Sequence, residues 1–152
     1  MTGAATIVAA TREHLPAWSA MRAALWPFES AADHAAEAEA YYFADHPDRL
    51  ALVALSGDGT PIGFAEATLR RDYVEGCDSS PVGFLEGIYI VPAARRQGVA
   101  RALSDAVGAW ARAQGCSEYA SNALLDNADS HAFHAAIGFA ETERVVYFRK
   151  PL

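Results

Sequence analysis

The stretch Val82-Gly83-Phe84-Leu85-Glu86-Gly87-Ile88-Tyr89-Ile90-Val91-Pro92-Ala93-Ala94-Arg95-Arg96-Gln97-Gly98-Val99-Ala100-Arg101 decides how this chain is read. Val82–Val91 reads as a strand, and Pro92 stops it. Gly87 stands alone inside that strand, where a glycine marks a bulge or a close backbone approach. Gly98–Gln114 reads as a helix with Val99, Leu103, Val107 and Trp110 on one stripe and Gly115 at its C′ position. A helix start exposes unpaired N–H groups and the positive end of the macrodipole. Gly98 and Ala100 are small enough to let a pyrophosphate approach the backbone, and Arg95, Arg96 and Arg101 add positive charge there. The loop matches neither GxxxxGK[ST] nor GxGxxG. A plain helix start with a solvated arginine pair is the other reading of the same residues.

Working outward, Thr6–Ala10 is a short strand, and Thr11 caps a helix whose Leu15, Trp18, Met21, Ala24 and Leu25 recur at helical spacing. Trp26-Pro27 ends it, because the residue before proline avoids helical angles. Ser30 caps a second helix through Ala44, closed by His46-Pro47-Asp48. Arg49–Ser56 and Pro61–Arg70 read as strands joined through Gly57-Asp58-Gly59, a hairpin turn. Tyr73–Pro81 is a polar loop. Ser117–Asn122 is a strand, Asn127–Ile137 a helix ended by Gly138, and Phe139–Lys150 a last strand. The order β-α-α-β-β-β-α-β-α-β describes an α/β mixed sheet.

Composition narrows the function classes. The 152 residues are 52% hydrophobic and 20% charged, enough for one domain, 1–152, with a full core. No apolar run reaches the roughly 18 residues of a membrane span, and the start lacks the basic and apolar regions of a secretory leader. Cys77 and Cys116 match no zinc spacing and are too few for a disulfide scaffold, which suits a cytoplasmic chain with free thiols. The net charge of −7 comes with no basic patch, against a nucleic-acid partner and toward a cationic one.

Arg95-x-x-Gly98-x-Ala100 after Ile88-Tyr89-Ile90-Val91-Pro92 resembles the acetyl-CoA signature of the GNAT superfamily of N-acetyltransferases. Asn127 followed by Gly138-Phe139 is similar to its C-terminal motif. Leu25-Trp26-Pro27, Arg71 through Pro81, Phe84-Leu85-Glu86-Gly87-Ile88 and Glu141-Thr142-Glu143-Arg144-Val145 resemble a narrower group, the short aminoglycoside 6′-N-acetyltransferases. The resemblance implies the GNAT fold: a mixed central sheet, helices on both faces, and a V-shaped split between the fourth and fifth strands, Val82–Val91 and Ser117–Asn122. Acetyl-CoA is the implied cosubstrate. Its pantetheine arm would extend the fourth strand along the backbone of Tyr89, Ile90 and Val91, a form of strand addition. The amides of Gln97, Gly98, Val99, Ala100 and Arg101 would hold the pyrophosphate. Asn127 would meet the arm from the other side, or serve only as a helix N-cap.

Transfer needs a neutral amine, although alkyl amines titrate near 10. A proton must therefore leave the amine, an oxyanion must be stabilised, and the departing thiolate must be protonated. Glu86, one residue before Gly87, where a bulge would re-aim it, is the candidate base; its other reading is a charge that counters Arg70 or Arg71. A backbone N–H near Ile90 is the oxyanion donor that the resemblance implies. His134 stands where the superfamily usually has its acidic tyrosine, four residues before Gly138-Phe139. It is read either as the acid or as a satisfied core histidine, with Tyr147 as a substitute acid. Trp26, Tyr73 and Glu86 match positions lining the antibiotic site in the resembled group, and Asn122 replaces an aspartate there. No metal enters this scheme.

Three functions compete at this stage: acetylation of the 6′-amine of aminoglycosides, acetylation of a polyamine or basic peptide, and a non-catalytic acyl-CoA sensor. A homodimer is expected as well. Val145-Val146-Tyr147-Phe148 would make a poor exposed edge, and the resembled enzymes often pair through this region, some by exchanging the last strand.

Overall fold

The computed structural model describes residues 3–152. One five-stranded sheet runs in the order β1 (Thr6–Ala9), β2 (Arg49–Leu55), β3 (Pro61–Arg70), β4 (Val82–Ile90) and β5 (Tyr119–Ser121). The first four strands are antiparallel neighbours, and β4 and β5 run parallel. Helices α1 (Leu15–Leu25) and α2 (Ala31–Tyr42) cover one face, α3 (Val99–Ala113) covers the other, and α4 (Ala128–Ala136) follows β5.

Strand alternation sorts the core into two layers. Ala65, Ala67, Leu85 and Ile90 meet Val99, Leu103 and Val107 of α3. Phe64 meets Trp18, Met21 and Ala38 of α1 and α2 on the opposite face. Among the described residues no helix is long and apolar enough to cross a membrane.

Two features of β4 place the site. Opposite β3, Ala67 pairs with Leu85 and Glu66 with Gly87, so Glu86 is the extra residue of a β-bulge. The bulge turns Glu86 and Gly87 toward the α1–α2 face together: Glu86 meets Thr68 and Arg70, and Gly87 meets Trp26. Beside β5, pairing covers only Gly83–Tyr119, Phe84–Ala120 and Leu85–Ser121. From Glu86 onward the two strands part, which opens the split expected between the fourth and fifth strands.

The sequence reading needs correction in places. The helix expected directly after Thr11 begins as a 3-10 turn, Arg12–His14, before α1, and α2 stops at Tyr42 rather than Ala44. The strand expected at Ser117–Asn122 is only three residues long. Phe139–Lys150, read as a strand, has no regular secondary structure. A strand exists only through a ladder partner, and this tail finds none among the described residues. Its apolar residues stay open, Val146 at 71%, Tyr147 at 82% and Phe148 at 92% exposure.

Candidate active site

On the α1–α2 face, where the acceptor is expected, the floor is a buried polar network. Glu66, 2% exposed in mid-strand, accepts Trp18 Nε1 at 2.9 Å, Tyr42 Oη at 3.0 Å and Arg22 Nη1. Arg22 also reaches Glu37 at 2.6 Å and lays its guanidinium 5.1 Å from the Trp26 ring centroid. Burial pushes the Glu66 carboxyl up, and the Arg22 charge with its three donors pulls it back. The network clamps α1 and α2 to β3, and so fixes the wall that carries Trp26.

Above this floor lies a cavity of about 490 Å³ lined by Trp26, Glu29, His34, Glu37, Thr68 and Glu86, among others. Donor atoms of Glu29, His34 and Glu37 lie within 4.8 Å of one another. The Arg22 guanidinium already sits among them, with Nε 3.4 Å from His34 Nδ1, so a fixed cation holds the place a metal would need. Trp26 reaches the bulge because residue 87 is glycine: a Cβ there would lie 2.5 Å from the Trp26 ring.

Glu86 lines the cavity and is ion-paired. Arg70 Nη2 lies 3.0 Å from Oε1 and 2.9 Å from Oε2, Arg70 Nε is 3.2 Å from Oε1, and Thr68 Oγ1 donates to Oε1 at 2.6 Å. Of the two arginines considered as its counter-charge, Arg70 is the partner; Arg71 pairs with Asp48 at 2.8 and 3.0 Å.

The donor is expected at the loop entering α3. Arg96 (φ 63°) and Gly98 (φ 80°) are both left-handed, and such turns aim successive amides into one concavity. The helix makes its first bond from Ala102 N–H to Gly98 O, 3.0 Å, which leaves the amides of Val99, Ala100 and Arg101 without helical partners. A Cβ at Gly98 would meet nothing within 4 Å, so the space over the loop is open. That amide-lined opening fits a pyrophosphate. Arg95 is tied back, its Nε donating to Ile90 O at 2.9 Å, and Arg101 donates to Ala136 O across the split. Gln97 Nε2 bonds Ala93 O at 3.3 Å. Asn127 is the N-cap of α4, with Oδ1 accepting from Ser130 N at 3.1 Å and Nδ2 left to donate.

The closed end of the split holds His134. Its Nδ1 is 2.7 Å from Ser130 O and its Nε2 2.9 Å from Ser121 Oγ, and Ser121 Oγ is 3.2 Å from Leu85 O. His134 is half-buried, with the Phe139 ring 5.4 Å away. Sequence reasoning missed Ser121, since nothing local marks a serine at the vertex between two strands.

The remaining candidates stand apart from the cavity lining. Tyr73 is 72% exposed on the loop between β3 and β4, and Asn122 is exposed just past β5. Tyr147 lies on the open tail and does not line the cavity. The Tyr73 loop is held at its far end by Glu118, whose Oε1 accepts the amides of Asp78 and Ser79 at 2.8 and 2.7 Å. The Ser79 hydroxyl and these amides keep the Glu118 carboxyl below its usual range.

Residues 18–139 match the acetyltransferase (GNAT) family. An aminoglycoside N(6′)-acetyltransferase type 1 from Serratia marcescens is 52% identical over 146 residues, covering 96% of this chain and 99% of its own. A protein of the same name from Salmonella typhimurium is 48% identical, covering 91% and 94%. Among solved structures, aminoglycoside N-acetyltransferase AAC(6′)-Iy in complex with CoA superposes with a TM-score of 0.91 at 42% identity, covering 100% of this chain and 97% of its own. The same enzyme with a bisubstrate analogue, CoA-S-monomethyl-acetylneamine, gives 0.89 at 43% identity, covering 99% and 100%.

Proposed function

This chain belongs to the acetyltransferase (GNAT) family, and from that premise we propose that it transfers the acetyl group of acetyl-CoA to the 6′-amine of aminoglycosides. The observation that carries the reading is the shared strand β4. Its bulge presents Glu86 to a cavity walled by carboxylates and Trp26, while its free edge leads to the amide cradle at Gly98.

β4 runs from the closed end of the split toward that cradle. An arm anchored by its pyrophosphate at Gln97–Arg101, with Arg96 beside it, runs back along Val91, Ile90 and Tyr89. It brings its thioester to the vertex at Leu85 and Ser121. Asn127 Nδ2 bonds the arm from the α4 side. The amine enters from the α1–α2 face, between Trp26 and the Tyr73 loop, with Asn122 on the opposite lip. Glu86 first holds the ammonium and then takes its proton, directly or through water, so that the neutral amine attacks. The developing oxyanion is met by a backbone N–H on the split edge of β4 beside the bulge; Ile90, lying further along the strand, serves the arm instead.

His134 supplies the proton for the departing thiolate through Ser121. With a proton on both ring nitrogens, Nδ1–H donates to Ser130 O, Nε2–H to Ser121 Oγ, and the serine O–H to Leu85 O. With Nε2 bare, the serine O–H turns to it instead. Both protonation states are therefore hydrogen-bonded in place. Tyr147, on the open tail, is the lesser candidate for this proton.

The exposed apolar tail and the outer edge of β5 support a homodimer in which the tail covers a second copy. We place the protein in the cytoplasm, with Cys77 and Cys116 as thiols. Acceptor choice is tested by thiol release from acetyl-CoA with kanamycin, spermidine and a lysine-rich peptide. Turnover with kanamycin alone supports the reading; turnover with spermidine or peptide alone replaces it, and none with any of the three leaves a sensor.

A further inference from the structure

The carboxylate expected to receive the acceptor is already occupied. Arg70, the last residue of β3, places three N–H···O contacts on Glu86, and Thr68 adds a fourth. Three of these contacts fall on Oε1 and one on Oε2, so an incoming ammonium meets a carboxylate already paired with a cation and with only Oε2 free to accept more. The pair is nonetheless open to solvent, with 41% of the Arg70 side chain and 28% of the Glu86 side chain exposed. Arg70 also has a second hold: its guanidinium carbon is 3.5 Å from the Phe84 ring centroid. It can release Glu86 and keep the ring contact.

The geometry points to Arg70 as a specificity-determining residue, a built-in cation that stands on Glu86 in the acceptor's place and must be displaced by it. The inference rests on the aminoglycoside reading above and deepens it. Exchanging one cation for another on a half-open carboxylate gains little. A single ammonium therefore competes poorly with Arg70, which is tethered and always present. An acceptor with several ammonium groups also reaches Glu29 and Glu37, which line the same cavity with 56% and 60% of their side chains exposed. Those additional contacts favour the exchange. Arg70 thus filters for polycations.

The opposite role, in which Arg70 holds Glu86 in its working pose, predicts the opposite sign. Calorimetric binding without acetyl-CoA separates the two, using kanamycin and the monoamine 6-amino-6-deoxyglucose as probes. Arg70→Gln should tighten kanamycin binding about three- to fivefold, the weight of a half-open ion pair. It should tighten the monoamine by a like factor, because both probes displace the same Arg70 contact, and so bring a ligand with no other carboxylate contacts nearer to measurable affinity. Arg70→Lys, which keeps charge and stem but loses the fork, should move the same way by less. In a Glu86→Gln background Arg70→Gln should have no further effect. Unchanged or weaker kanamycin binding in a folded Arg70→Gln protein overturns the inference. So do a gain confined to kanamycin and an effect that persists without Glu86. Wild-type protein that binds kanamycin but fails to acetylate it sinks the reading of the function instead, and leaves the binding comparison standing.

Discussion

His134 Nε2 lies 2.9 Å from Ser121 Oγ at the point where β4 and β5 part, and the same serine oxygen lies 3.2 Å from Leu85 O. The imidazole is thus coupled through one hydroxyl to the last paired residue of the sheet. If the two act as one relay, His134→Gln and Ser121→Ala should each lower kcat about 10²-fold, the lower range for an acid acting on a thiol that already leaves well. The double variant should lose no more than either single one, as groups acting as a unit do. Stopped-flow acetyl transfer in variants with unchanged acetyl-CoA affinity checks this. Additive losses, or an intact rate, assign the proton to solvent.

Gly98→Glu should lower acetyl-CoA affinity by about 10²-fold or more. It forces a side chain into left-handed backbone and sets an anion where the helix start attracts one. Calorimetry with the folded variant is the measurement, and unchanged affinity would move the pyrophosphate elsewhere.

Glu86→Gln keeps shape and removes proton acceptance. At neutral pH and saturating aminoglycoside, kcat should fall about 10²–10⁴-fold, with KM raised as well. The loss should shrink as pH climbs toward the ordinary amine range near 10, where the acceptor deprotonates unaided. Equal maximal rates for the two proteins from about pH 6 to 9, with chemistry rate-limiting, would reduce Glu86 to a positioning residue.

Glu66→Gln should destabilise the fold by about 3–5 kcal/mol, the cost of leaving a buried guanidinium without its counter-charge. Urea unfolding reads this directly. A change under about 1 kcal/mol would mean that Glu37 alone satisfies Arg22.

Sedimentation at micromolar concentration should find a dimer, and Phe148→Asp should shift it toward monomer. A wild-type monomer at that concentration leaves the tail without its proposed partner.

What the sequence made legible was what is local. The strand–loop–helix unit could be read because Pro92 and the stripe Val99, Leu103, Val107, Trp110 act within one stretch of chain. The bulge was legible from Gly87, and with it the re-aiming of Glu86, which is the extra residue. The polar floor was not read, because Arg22 and Glu66 acquire meaning only when α1 lies on β3. The signal was nonetheless present: Arg22 sits four residues after Trp18 on an apolar stripe, and Glu66 is a lone charge between Phe64, Ala65 and Ala67. The tail misled for the converse reason. Its apolar run has strand character, but pairing needs a second strand, and no sequence window contains one.

β4 meets its two substrates in different ways. In the proposed arrangement the donor lies along its edge, read by peptide groups that every substitution except proline leaves in place. The acceptor lies on its face, held by Glu86 and bordered by the side chains of Thr68 and Arg70, which can change without removing the base. Descendants of this chain can therefore drift from one amine to another while their appetite for acetyl-CoA stays constant. Selection by a new antibiotic should be recorded at 68 and 70, around a retained Glu86, and hardly at all from 88 to 91.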